Sequence, residues 1–153
     1  MTTRVDSAAR YLCELSGWKL SNLQLQKMLY LADMNFVGQG RGRLLDEDFE
    51  AWDYGPVLPS LYHTCKAFGP KPIPNVFWGA VDIRGTPEAQ ILDTAWNNLR
   101  GQNPGRLVEN THWAGGAWAQ RYVPGARGIK ITSHDMVNEY RKRIASEKAV
   151  TAA

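Results

Sequence analysis

The sequence predicts a mainly α fold, a compact single-domain bundle of about six helices with a minor β-hairpin or short strands. Three observations carry this prediction. Apolar residues recur at steps of three and four in several separate segments, most of those segments open on a capping residue, and the chain between them is broken by glycine and proline. A chain of 153 residues buries roughly 68–70% of its unfolded surface, enough for one self-sufficient core. The expected domain covers residues 1–146, with a flexible tail over 147–153.

Residues 4 to 16 read as a first helix, with Val5, Ala9, Leu12 and Cys13 on one side; Thr3 and Asp6 have capping-box spacing and Gly17 ends it. Ser21 caps a second helix on which Leu25, Met28, Leu29, Ala32 and Phe36 form one stripe. Leu23, Leu31 and Met34 occupy the other side, so this helix is expected at the centre, packed on at least two faces. Gly38, Gly40 and Gly42 then break the chain around Arg41 and Arg43. These glycines lack the Gly-Lys-Ser/Thr of a phosphate-binding loop and read as a turn. Leu44-Leu45 and Phe49 to Trp52 are candidates for a short hairpin or extended crossing, turned by the acidic Asp46-Glu47-Asp48.

After Gly55-Pro56, the residues Leu58, Leu61, Tyr62, Cys65 and Phe68 repeat at helical spacing, with Pro59 in the first turn. Asn75 to Gly85 reads as irregular chain. Thr86-Pro87-Glu88 opens a helix carrying Ile91, Leu92, Ala95, Trp96 and Leu99 inward. Asn103-Pro104-Gly105 reads as a turn before a short helix at 106–111, and the glycines at 115 and 116 argue against regular structure just beyond. Residues 128–131 suit a small strand. Thr132 and Asp135 have the spacing to cap a last helix bearing Met136, Val137, Tyr140 and Ile144.

Composition narrows the function classes. Hydrophobic residues at 44% and charged residues at 22% fit an ordinary soluble globular protein. The N-terminus lacks an apolar signal core and no apolar run approaches a bilayer span, so the expectation is a cytoplasmic protein with no membrane contact. Cys13 and Cys65 lie far apart on apolar faces and read as buried free thiols. A net charge of +3 permits an acidic protein or nucleic-acid partner and demands neither.

Few residues stand at spacings that chemistry requires. His63 and Cys65 are two apart, a spacing that points them in different directions on a helix, and His112 has no ligand-spaced partner; no metal or cofactor is expected. Gly-x-Ser-x-Gly is absent. Glu50 and Asp53 would form a catalytic pair only if the fold faced them across a cleft. His112 among Trp113 and Trp118 reads as a structural residue, with a small hydrolase or transferase as the rival reading that an imidazole buried against Trp118 would weaken. Arg141-Lys142-Arg143, with Arg41 and Arg43, would supply phosphate contacts to a nucleic-acid-binding regulator, although a solvated helix face explains the run more simply.

The densest information lies in Ala51-Trp52-Asp53-Tyr54-Gly55-Pro56-Val57, since each aromatic needs a pocket and Gly-Pro admits few backbone paths. Lys27 on the central helix must snorkel out or find an acceptor, and Asp53 or a carbonyl of residues 51–57 is the expected partner. A lysine or glutamine reaching from that helix would fix the corner as a brace.

Leu25-Gln26-Lys27-Met28-Leu29-Tyr30, then Ala51-Trp52-Asp53-Tyr54-Gly55-Pro56-Val57 with Pro59 and Tyr62, resemble the Panacea domain, the SocA-like antitoxin family that includes phage-associated GepA-like proteins. The resemblance extends over roughly residues 5 to 145, with Met28 where leucine is common. It implies a helical antitoxin that neutralises a cognate toxin by protein contact. One family mode is direct blocking; another is a proteolytic adaptor delivering the toxin to an AAA+ protease such as ClpXP. It implies no catalytic residue. Lys27, Tyr30, Trp52, Asp53, Gly55, Pro56 and Tyr62 are then structural signature positions. Arg41, Arg43, Tyr54, Trp78, Trp113, Arg121 and Arg127 are the candidates for partner contact, which would bury at least about 1,000 Å². The small residues Ala152-Ala153 resemble ends that bacterial unfoldases recognise, although a plain tail explains them as well.

Overall fold

A computed structural model describes the backbone of residues 2–152 and the side chains of residues 2–147. Its elements are α1 (Val5–Leu15), α2 (Asn22–Gly38), β1 (Glu50–Trp52), β2 (Gly55–Val57), α3 (Pro59–Cys65) continued by a 3-10 turn, α4 (Pro87–Leu99), α5 (Pro104–Thr111), α6 (Ala117–Arg121) and α7 (Ser133–Ala152). The fold is therefore mainly α, with seven α-helices among the described residues where the sequence suggested about six. The expected tail at 147–153 falls almost wholly outside the described side chains.

The helix α2 is central, as its two apolar sides predict: it packs against α1, α4, α5, α7 and β2. Twelve of its residues, Leu25 to Asp33 together with Met34, Phe36 and Val37, are buried. Ser21 starts it with a complete capping box, its hydroxyl accepting from the Gln24 amide while the Gln24 side chain accepts from the Ser21 amide at 3.0 Å. Thr86 caps α4 through the Ala89 amide at 3.1 Å. Thr132 and Asp135 cap α7 reciprocally, with bonds of 2.9 and 3.1 Å.

Four local readings need correction. Thr3 does not cap α1: the cap position is Arg4, without a side-chain bond, and the Thr3 amide instead donates to the Leu44 carbonyl at 2.8 Å. The backbone of Thr3 is thereby committed to a bridge with Leu45. The hairpin does not turn at Asp46-Glu47-Asp48. It turns at Asp53-Tyr54, with Trp52 opposite Gly55, Ala51 opposite Pro56 and Glu50 opposite Val57. The Asn103-Pro104-Gly105 segment is the first turn of α5, because Asn103 caps the Arg106 amide at 2.9 Å and Pro104 fits the first helical position. Despite its flanking glycines, α6 forms, for Glu139 accepts the Ala117 amide at 2.9 Å and Trp118 is buried.

Residues 128–131 form no strand of their own, but they lie along the hairpin with a single bridge between Glu50 and Lys130. The Ala51 amide donates to the Ile129 carbonyl and the Ile131 amide to the Phe49 carbonyl, both at 2.9 Å. Cys13 and Cys65 are buried free thiols, and burial raises their pKa values to about 12 and about 11.

Candidate functional site

The hairpin β1–β2 is fastened to α2 by two consecutive side chains. Gln26 reads the backbone of Leu58 from both sides: its amide nitrogen donates to the carbonyl at 3.2 Å and its oxygen accepts the amide hydrogen at 2.8 Å. Lys27, 1% exposed, donates to the Pro56 carbonyl at 3.3 Å. The expected brace between α2 and the corner is present, through the lysine and glutamine together.

The other expected partner of Lys27 is elsewhere. Asp53 points outward, where it accepts the Tyr122 hydroxyl at 2.7 Å and the Gly125 amide at 3.0 Å. These bonds, the Gly125 amide foremost, hold the carboxyl below its ordinary pKa. Glu50 works in parallel, accepting Trp52 Nε1 at 2.9 Å and the Gly128 amide at 3.0 Å. The two carboxylates thus clamp the 122–128 loop against the hairpin.

Gly55 is required by both conformation and space. Asp53 and Tyr54 at the tip keep negative φ, so the left-handed step falls on Gly55 at φ +111°. A Cβ there would stand 2.7 Å from Lys27 Nζ and 3.1 Å from His112 Nε2. The His112 imidazole lies flat on Trp118, centroids 3.8 Å apart and planes within 9°, and Trp118 Nε1 donates to the Trp52 carbonyl at 2.7 Å. Burial lowers the His112 pKa and the nearby Lys27 charge adds to that, against backbone hydrogen bonding at Tyr54. Burial alone brings Lys27 down to about 7.

On the outer side of this brace lies a cavity of about 770 Å³, with Lys27, Trp52, Tyr62 and Arg127 among its walls. Trp52 meets Tyr62 edge-on at 5.0 Å and carries the Arg127 guanidinium over its ring at 4.2 Å.

The remaining sequence-derived positions separate into two groups. Tyr30 is buried, donating to Glu139 Oε1 at 2.6 Å and meeting Phe49 edge-on at 5.1 Å. Arg43 is occupied internally by Asp33 at 2.6 Å, Asp48 at 3.1 Å and the Glu47 carbonyl at 2.9 Å. Arg121 pairs with Asp135 at 2.8 Å, and Trp113 lies half-buried beneath Arg143. Arg41 covers Phe36. Only Trp78, at 86% exposure, and Tyr54, at 75%, offer large bare aromatic faces among the seven candidates. Within the basic run of α7, Arg141 and Lys142 are exposed, whereas Arg143 turns to Glu139 and Asn110.

Buried Asp33 and Glu139 escaped the sequence reading. Asp33 accepts the Leu44 amide at 2.7 Å in addition to Arg43, and Glu139 gathers Tyr30, Ala117 and Arg143. Their signal was an acidic residue on an otherwise apolar helical face, which demands a partner without naming one. No cluster of three or more His, Cys, Asp or Glu suited to a metal occurs among the described residues, and no described helix is long and apolar enough to cross a membrane.

These features define a small, mainly helical domain in which a buried lysine and glutamine lock an aromatic Gly-Pro hairpin onto a central helix. The chain belongs to the family of antitoxin SocA-like proteins with a Panacea domain, whose model matches residues 25–119, a span holding most of that helix, the hairpin and Trp118. It is 33% identical over 109 residues to antitoxin SocA of Caulobacter vibrioides (strain NA1000 / CB15N), covering 65% of this chain and 58% of that protein, so it matches somewhat over half of the relative's length. No solved structure matches it.

Proposed function

We propose that this chain is an antitoxin that neutralises a cognate toxin by direct protein–protein binding in the cytoplasm. The family membership carries the reading, since the matched span includes both halves of the brace. Trp78 and Tyr54 support it physically: exposed aromatic rings are effective anchors at protein interfaces, and here neither is used by the core. Binding alone blocks the toxin, or binding delivers it to an AAA+ protease of the ClpXP type.

Co-expression tests this. A neighbouring reading frame that arrests growth alone is expected to be tolerated when this chain is present, and to co-purify with it. Toxin half-life in cells with and without the protease separates blocking from delivery. Growth arrest unrelieved by this chain, with every adjacent frame tried, would refute the proposal.

A further inference from the structure

We infer that the cavity beside the hairpin receives the carboxyl-terminal end of a partner protein, holding the terminal carboxylate at Lys27 and a bulky apolar side chain of the last residues against Trp52 and Tyr62. This rests on the reading of the chain as a protein-binding module and specifies the chemistry of its partner.

Size comes first. About 770 Å³ lies within the usual range for sites that enclose a ligand, roughly 300–1,000 Å³, and suits a few residues of peptide. Charge narrows the occupant. Lys27, Lys66 and Arg127 contribute basic groups to the walls against a single carboxylate, Asp53, whose charge remains but whose Oδ1 is turned to Tyr122 and Gly125. An anionic ligand is therefore favoured.

Lys27 supplies the specific demand. An ammonium carries three donors, and this one, 1% exposed, has the Pro56 carbonyl at 3.3 Å as its hydrogen-bond acceptor and no carboxylate within 4.0 Å among the described residues. Lys27 lies just behind the cavity wall, and an amine so thinly compensated gains a counter-charge, and with it a firmly held proton, once the wall gives enough for a carboxylate to reach it. The wall also contains Asn22, whose Oδ1 is buried without a hydrogen-bond partner. Asn22 is half-buried, and a turn of its amide towards the cavity would let Oδ1 accept a peptide N–H of the entering chain. Asn22 opens α2, so the positive end of a 17-residue helix faces the same space. The aromatic edges of Trp52 and Tyr62 offer the apolar contact. A chain end is the fitting form of this ligand, because reaching a lysine this deep requires room for one arm of backbone, where an internal segment would need two.

A test needs no toxin. Immobilised full chain is exposed to a hexapeptide pool randomised at its last three positions, once with free carboxylates and once amidated, and enriched peptides are titrated in both forms by tryptophan fluorescence. Enrichment of aromatic or branched apolar residues is expected at the end, with the free acid binding at least tenfold more tightly than its amide. Lys27→Met should abolish that preference, and Arg127→Ala or Lys66→Ala, both exposed, should weaken binding a few-fold. If Lys27→Met does not fold by circular dichroism, the acid-to-amide ratio on the native protein and the loss on Asn22→Ala decide. No enrichment, equal binding of acid and amide, or a preference that survives Lys27→Met would overturn the inference. Peptide binding without relief of any toxin would remove the antitoxin reading and leave this site; toxin relief without peptide binding would do the reverse.

Discussion

Lys27 has a pKa brought down to about 7 by burial, against 10.5 for the ordinary side chain. In the unfolded chain it keeps its proton to about pH 10.4. Between those values the unfolded state binds more protons than the folded one, so this residue makes stability rise with pH across that window. Below pH 7 both states are charged and the burial penalty is present in full. Cys13 and Cys65 act oppositely above about pH 8.5, where unfolded thiols ionise and the buried ones, at about 12 and about 11, do not. Subtracting urea-unfolding free energies of Lys27→Met from those of the native chain isolates the lysine. That difference should climb in favour of the native chain from pH 7 to 9, by an amount on the order of 2 kcal/mol. A flat difference would show that the ammonium is solvated.

At the level of elements, the α2–α7 contact depends on a missing side chain. A Cβ on Gly38 would stand 2.1 Å from the Tyr140 ring, although Gly38 is the last residue of α2 and helical propensity alone favours alanine there. Gly38→Ala is therefore expected to destabilise by about 1–3 kcal/mol where an exposed site would gain a few tenths. Tyr140→Ala should relieve most of the added cost, giving a favourable coupling in the double-mutant cycle. Unchanged thermal stability of Gly38→Ala would mean that Tyr140 yields freely. This contact also shows what the sequence could carry. The Ser21, Thr86 and Thr132 caps were legible because donor and acceptor lie three residues apart. The turn at Asp53-Tyr54 was missed because the choice between two acidic turns is made by distant partners, Tyr122 and Gly125, which lie 69 and 72 positions away. At the candidate site, Lys27 and the corner were legible as two halves needing each other. The cavity beside them was not, since its walls come from segments spread between Ser21 and Arg127.

For the whole molecule, arginine and tryptophan have exchanged the roles that surface chemistry alone would assign. Arg43, a charged residue in a glycine-rich turn, is 13% exposed and ties the turn to buried Asp33, whereas Trp78 is 86% exposed with its Nε1 donating locally to the Asn75 carbonyl at 2.7 Å. Removing the arginine leaves a buried carboxylate without its cation, a change that costs about 3–5 kcal/mol in comparable pairs. Trp78→Ala removes a ring already in water and should leave thermal stability within about 0.5 kcal/mol. Partner capture alone would therefore mislead, since both variants are expected to lose binding for different reasons. Urea titration beside a pull-down with whichever protein the co-expression experiment identifies separates them: Arg43→Ala should lose binding in proportion to unfolding, and Trp78→Ala should lose it while fully folded. Full binding by Trp78→Ala would move the interface away from the 75–85 segment and towards Tyr54 and the cavity beneath it.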